Sequence, residues 1–326
     1  MKTGFKIALA VSGMLALFSL GMSVFQVRDL LARVNDDAAV EGNPRHYALY
    51  IPEQRDSFSA EIRSGAAAAA AEFGISLSVH PLDAEGTSLS VAGYIGADGL
   101  VACPDSDSPV IAGELERLRK EGVLVVLAGH NLKAEQPWPF VGTNSFDFGK
   151  KAGSLILSAG QSDHSVAVVY SEKSPALFAE RELVEMGLTN ALRSRLAEPV
   201  FSHKTDLNPR SAERTVYELV RSRLPLTAVV FTDPADTIAG TQAIIDLGLL
   251  GQVQIIGCGE TDSIRDYIDK RIISGSLVVN TEKIGYEAVR ALFELDAVGY
   301  TSNSVDIGIR VLSGQQSRDR MNQRGD

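Results

Sequence analysis

The sequence predicts an α/β chain: two doubly wound parallel-sheet domains preceded by an N-terminal transmembrane helix. Three observations carry that prediction. At 326 residues the chain exceeds one typical core and suits two α/β domains plus an appendage. From residue 46 onward, short continuous apolar runs alternate with helical stretches, as in parallel sheets covered on both faces. Near the start, residues 7–27 run without one ionisable side chain.

Taken in order, "MKTGFK" is a short basic start, and the apolar run after it has about the length that crosses a ~30 Å hydrocarbon core. Lys2 and Lys6 precede the run, so the positive-inside rule leaves the rest of the chain outside the cytoplasm. A cleaved signal peptide usually has a shorter apolar core and an Ala-x-Ala-like site. No such site and no lipidation cysteine follows here, which favours a single-pass anchor over residues 1–27, with a cleaved signal as the alternative. Residues 28–45 read as a helical extension and polar linker.

Strands are expected at 46–51, 75–80, 98–102, 123–128, 165–170, 199–203, 227–232, 253–257 and 275–279. Helices are expected between them at 57–73, 108–121, 145–160, 175–194, 209–223, 235–248, 261–271 and 283–295. Ser57, Asp105 or Ser108, Ser145, and Asn208 before Pro209 suit first helical turns. The alanine run at 66–71 is strong helix former, not low complexity. The pattern breaks at 129–145, where two prolines and the only tryptophan mark a long loop, and the first domain crossing is placed near Thr143–Ser145. A last strand-like piece covers 303–312, before a polar tail at 313–326.

Composition narrows the function. A net charge of −10 argues against a nucleic-acid partner. Cys103 and Cys258 are too few for a disulfide framework, and they read as buried small apolar residues rather than as a bridge. The five histidines show no metal spacing. "GCGETD" (257–262) opens a helix after a strand but lacks the third glycine of a dinucleotide fingerprint, so no cofactor is expected. No nucleophile elbow, Ser/His/Asp set or phosphate loop is present, so the chain is read as a non-enzyme.

The motifs "GADGLVACPDSDS", "EGVLVVLAG", "FVGTNSFDFGKKAG" and "VQIIGCGETDSIRDYIDKRIISGSLVVNTEKIGYEAVRAL" occur in that order. As a set they resemble the type I periplasmic binding proteins, more narrowly the ribose/galactose-binding group, which is related to the ligand-binding domains of lactose-repressor-type proteins; the resemblance covers about residues 46–312. It implies two Rossmann-like domains joined by three hinge strands and closing on a small, sugar-like ligand. Residues 46–144 plus 281–302 would form the first subdomain, and 145–280 plus 303–312 the second. An ABC transporter permease or a sensor histidine kinase in the membrane is the implied partner. The apolar span in place of a helix-turn-helix removes the repressor reading.

The resemblance also places the site. In the first strand–helix loop, Asp56 takes the polar position and Phe58 the aromatic one, where a ring stacks on a ligand face or else packs into the core. The family's Asp-Arg after the fourth strand is replaced by Gly129-His130, and its later polar positions fall near Val184, Pro234, Gly259 and Val279. These departures count against ribose or a close aldopentose. The polar and aromatic residues left in reach are Asp56, Phe58, His130, Asn131, Phe146, Asp233 and Glu260. Each carboxylate also has a structural reading: Asp56 and Asp233 as helix caps, and Glu260 in a first helical turn. Two other uses of the fold stay open: a ligand-independent interaction module with a decayed pocket, and a hydrolase using the cleft carboxylates.

Overall fold

The computed structural model describes residues 45–53, 57–83, 85–132, 138–158, 163–173, 175–208, 210–222 and 226–314. The anchor expected at 7–27, most of the linker, Asp56 and most of the tail lie outside these residues. Among the described residues no helix is long and apolar enough to cross a membrane.

The first sheet is wholly parallel. It contains β1 (His46–Pro52), β2 (Ser76–Leu82), β3 (Gly99–Ala102), β4 (Leu124–Gly129), β5 (Phe140–Gly142) and β11 (Ser304–Asp306), in the order β11-β5-β4-β3-β1-β2. The second contains β6 (Val166–Ser171), β7 (Phe201–Thr205), β8 (Ala228–Phe231), β9 (Gln254–Cys258), β10 (Gly275–Val279) and β12 (Ile309–Leu312), in the order β12-β10-β9-β8-β6-β7. Only β12 runs antiparallel, against β10. β1, β6 and β8 are almost wholly buried, as continuous apolar strands covered on both faces must be.

Helices α1 (Ser57–Phe73) and α9 (Thr281–Val298) cover one face of the first sheet through Ile62, Ala66, Ile284 and Leu292. The 3₁₀ segment Thr87–Tyr94 and α2 (Pro109–Lys120) cover the other through Leu89, Ile111 and Leu115. In the second lobe α3 (Ser145–Leu157), the short α4 (Pro175–Ala179) and α5 (Arg181–Leu192) take one face. The opposite face is packed by α6 (Ser211–Arg221), α7 (Pro234–Asp246) and α8 (Asp262–Asp269).

One packing device occurs in both lobes. A Cβ on Gly65 of α1 would lie 1.8 Å from the Glu282 carbonyl oxygen of α9, and one on Gly285 of α9 would lie 2.1 Å from that of Ile62. In the second lobe a Cβ on Gly149 of α3 would meet the Val184 carbonyl of α5 at 1.9 Å, and one on Gly187 would meet that of Phe146 at 2.0 Å. Each glycine thus sits against the carbonyl three residues before its partner glycine, and backbone touches backbone.

The chain passes between the lobes at Thr143–Asn144, at Asn280 and at Ile307–Gly308. The last crossing corrects the strand expected over 303–312, of which Ser304–Asp306 belongs to the first sheet and only Ile309–Leu312 to the second. The Asp306 carboxylate accepts from Gly308 N–H at 2.9 Å, Gly308 has φ +75°, and Ile307 N–H donates to the Gly142 carbonyl at 2.8 Å, so the strand breaks there. β5 escaped the sequence reading because it has three residues and follows Pro139. The helix expected over 175–194 divides into α4 and α5. Asn144, one residue before the expected cap, accepts from Asp147 N–H and starts α3.

A paired substitution tests the helix crossing. Gly149→Ala is expected to lower stability in urea denaturation by roughly 2–3 kcal/mol through overpacking. Gly113→Ala, on α2 with open space around the position, is expected to raise it by roughly 0.5–1 kcal/mol through helix propensity alone.

Candidate ligand cleft

A cavity of about 350 Å³ lies between the lobes at the carboxyl ends of the strands. Phe58 and Glu61 reach it from the first turns of α1, Gly129 from the end of β4, and Thr281 and Ile284 from the start of α9. The second lobe contributes Thr232 and Asp233 after β8, Cys258, Gly259 and Glu260 after β9, and Leu177 of α4. Helix N-termini converge on this edge, capped by Asp233, Thr261 and Asn280, whose side chains accept from the N–H groups of Asp236, Ile264 and Lys283. This is where open α/β sheets offer ligand sites.

The wall is apolar with a few oriented polar groups, three of them carboxylates. Asp233 is only 2% exposed, and burial is the largest cause raising its pKa, with neighbouring Asp236 adding to the rise. Much of Glu61 is exposed, yet partial desolvation raises its pKa; a hydrogen bond from Thr281 opposes the rise and Glu282 adds to it. Burial also pushes the Cys258 thiol up, and Asp233 and Glu61 both push it further, so the two carboxylates act on one point from opposite lobes. Glu260 is held differently, by Arg265 at 2.7 Å and by a two-pronged contact from Arg310. Behind Asp233, the buried Asp236 accepts from Lys173 Nζ at 2.6 Å and from the Thr205 hydroxyl.

Of the residues expected at the site, Phe58, Asp233 and Glu260 line the cavity. Asp233 is at once wall and helix cap, so its two readings hold together. Asp56 lies outside the described residues. His130, Asn131 and Phe146 do not line the cavity. Gly129 has φ +80°, and a Cβ there would lie 3.1 Å from Phe58 Cζ, so the ring takes the space beside the turn. His130 is turned away and fully buried, its Nε2 3.1 Å from Asp107. Its Nδ1 lies 3.4 Å from Glu180 of the second lobe, outside hydrogen-bond geometry. Asn131 is exposed, and its N–H also faces Glu180. Phe146 sits at the α3–α5 crossing, where its carbonyl faces Gly187.

Glu61 and the threonines were missed. Glu61 follows Phe58 by three residues and so shares its helix face, a spacing visible in the sequence. Among the replaced family positions, Gly129, Pro234, Gly259 and Val279 do line the cavity. Val184 does not: it is fully buried in the core of the second lobe. Cys103 and Cys258 are both free and buried.

Residues 47–297 match the periplasmic binding protein domain, and the chain belongs to that family, with the type I fold of its sugar-binding members. GanP, a glucose-galactose binding protein from Geobacillus stearothermophilus, superposes with a TM-score of 0.71 at 18% identity, over 84% of this chain and 99% of GanP. A Caulobacter myo-inositol binding protein bound to myo-inositol gives 0.74 at 15% identity, over 87% and 98% of the two chains. The XylFII-LytSN complex supplies a third match, 0.71 at 18% identity, over 84% and 99%. No curated protein matches the chain in sequence.

The buried carboxyl sets a pH dependence. With its native pKa raised, Asp233 binds more protons folded than unfolded, so its contribution to stability falls as pH rises through the window between its unfolded value and its higher folded one. Asp233→Asn keeps a capping oxygen and has no charge to bury. Its stability relative to the parent is expected to increase from pH 4 to pH 7 in parallel urea titrations, and a difference independent of pH would contradict the assignment.

Proposed function

We propose that the chain is an extracytoplasmic solute-binding protein, held at the membrane by residues 7–27, that closes its lobes on a small polyhydroxylated ligand. It then presents that ligand to a membrane partner, an ABC transporter permease or a sensor histidine kinase. The observation that carries this reading is the cavity of about 350 Å³, walled from both lobes and lined on one side by the Phe58 ring. That volume suits a small ligand. Three chain crossings form the hinge on which closure turns. The fold is shared with proteins described as binding glucose-galactose and myo-inositol, and with XylFII in its complex with LytSN.

Open space in the cleft favours this over a decayed pocket, which would be filled by its own side chains. It is also a reading of binding without turnover: among the described residues the cavity wall offers carboxylates but no histidine beside them. An enzyme on the same architecture would convert a bound ligand to product.

The test is a thermal-shift screen of the full chain in mild detergent against sugars, polyols, nucleosides, amino acids and polyamines. A true ligand at a hundredfold excess over its dissociation constant adds roughly 2.7 kcal/mol of stability. The expected result is a hit that Phe58→Ala weakens at least tenfold. A cooperatively melting protein with no hit would argue for the interaction module instead.

A further inference from the structure

Within the binding-protein reading, on which it rests, the cleft also selects by charge. Asp233 stands in the second-lobe wall, 2% exposed, and Glu61 enters from the first lobe. Neither has a lysine, arginine or histidine in ion-pair contact among the described residues. The third wall carboxylate, Glu260, is already engaged by Arg265 and Arg310. Among the described residues no basic side chain lines the cavity. Two carboxylates from opposite lobes therefore face one cavity, and among the described residues the nearest cation behind Asp233, Lys173, is paired with Asp236.

From this arrangement we infer that the ligand is a cationic polyol of the amino-sugar class, its ammonium group seated between Glu61 and Asp233. Phe58 offers a ring for the apolar face of such a frame, and threonines, among them Thr143 and Thr281, offer hydroxyls for its own. An ammonium supplies three donors to the two carboxylates, and such charge-assisted bonds are roughly twice as strong as neutral ones. Phosphorylated sugars and uronic acids are opposed, because each brings a second negative charge into an acidic cavity. Amino acids are opposed for the same reason at their carboxylate. A bare metal ion is not favoured, since among the described residues no group of three or more His, Cys, Asp or Glu is placed to hold one.

The geometry also couples ligand charge to closure. Moving the lobes together brings Glu61 and Asp233 nearer each other, which like charges resist. An ammonium between them turns that repulsion into two attractions, one to each lobe.

The test uses matched probes with the full chain in mild detergent, by calorimetric titration at pH 7: glucose, glucosamine and N-acetylglucosamine, and the same three in the galactose series. The expected result is that the free amine binds at least tenfold tighter than its hydroxyl and N-acetyl twins in one series. Glu61→Gln and Asp233→Asn are then expected to cut the amine's advantage over its hydroxyl and N-acetyl twins to within about twofold, each variant still melting cooperatively. Hydroxyl twins that bind as tightly as the amine would overturn the inference and leave the binding-protein reading standing. A preference for the amine that survives both substitutions would overturn it too, by taking the carboxylates out of the cause. Failure of every probe in both series overturns this inference, and a hit elsewhere in the thermal-shift panel would then show that the wider binding reading survives without it.

Discussion

The close approach of paired helices in each lobe is the constraint on which the cleft depends. Gly65 against Gly285, and Gly149 against Gly187, bring two backbones into contact where any side chain would hold them apart. Packed backbone has little slack, so the first turns of α1 and α9 are fixed relative to each other within one residue of Glu61 and Ile284. Phe58, Glu61 and Thr281 thus project from a rigid corner rather than from pliable loops. The second lobe uses the same crossing for α3, which follows a hinge passage, and α5, which follows Glu180. Both lobes in this way present stiff faces to a flexible joint.

On that frame the electrostatics are arranged by depth. Asp236, fully buried, is ion-paired with Lys173 and accepts a hydrogen bond from the Thr205 hydroxyl. Asp233, one layer closer to the ligand space, has a backbone N–H as its partner and is left to face the cavity. Glu260, nearer the rim, is clasped by arginines. Burying carboxylates is costly, and the two that are paired with cations have that cost offset from within the chain. The contact of His130 with Asp107 on its own lobe and Glu180 on the other adds a second, polar point where the lobes meet away from the cavity.

Much of this was legible in the sequence. Continuous apolar strands such as "YALYI" and "VAVVY" mark the centres of the sheets, and the helices between them fall within a few residues of their expected bounds. Asp233 before Pro234 reads correctly as a cap, because capping is a local interaction. What stayed hidden is decided at a distance or by a single dihedral. A positive φ at Gly129 sends His130 into the lobe instead of the cleft, and nothing in "LAGHN" states that sign. The three-residue β11 exists because Ser304 pairs with Phe140 of β5, a separation in the chain (304 − 140 = 164) that no window of sequence contains. Glu61 was the avoidable omission, since helix spacing from Phe58 alone places it on the same face.

The return of α9 and β11 to the first sheet has a temporal meaning. Residues up to β5 leave a ribosome first, yet the face of their sheet built on Val126 and Ala128 waits for Ile284, Ala288 and Leu292 to cover it. The second sheet likewise gains its edge strand, Ile309–Leu312, only near the end. Neither lobe is therefore complete until nearly the whole chain exists, and in the first lobe the finishing contacts join distant parts of it, which makes for slow, late collapse. A polypeptide of this connectivity stays threadable while it is being made, so a route that passes it through a membrane meets an unfinished chain rather than a folded lobe.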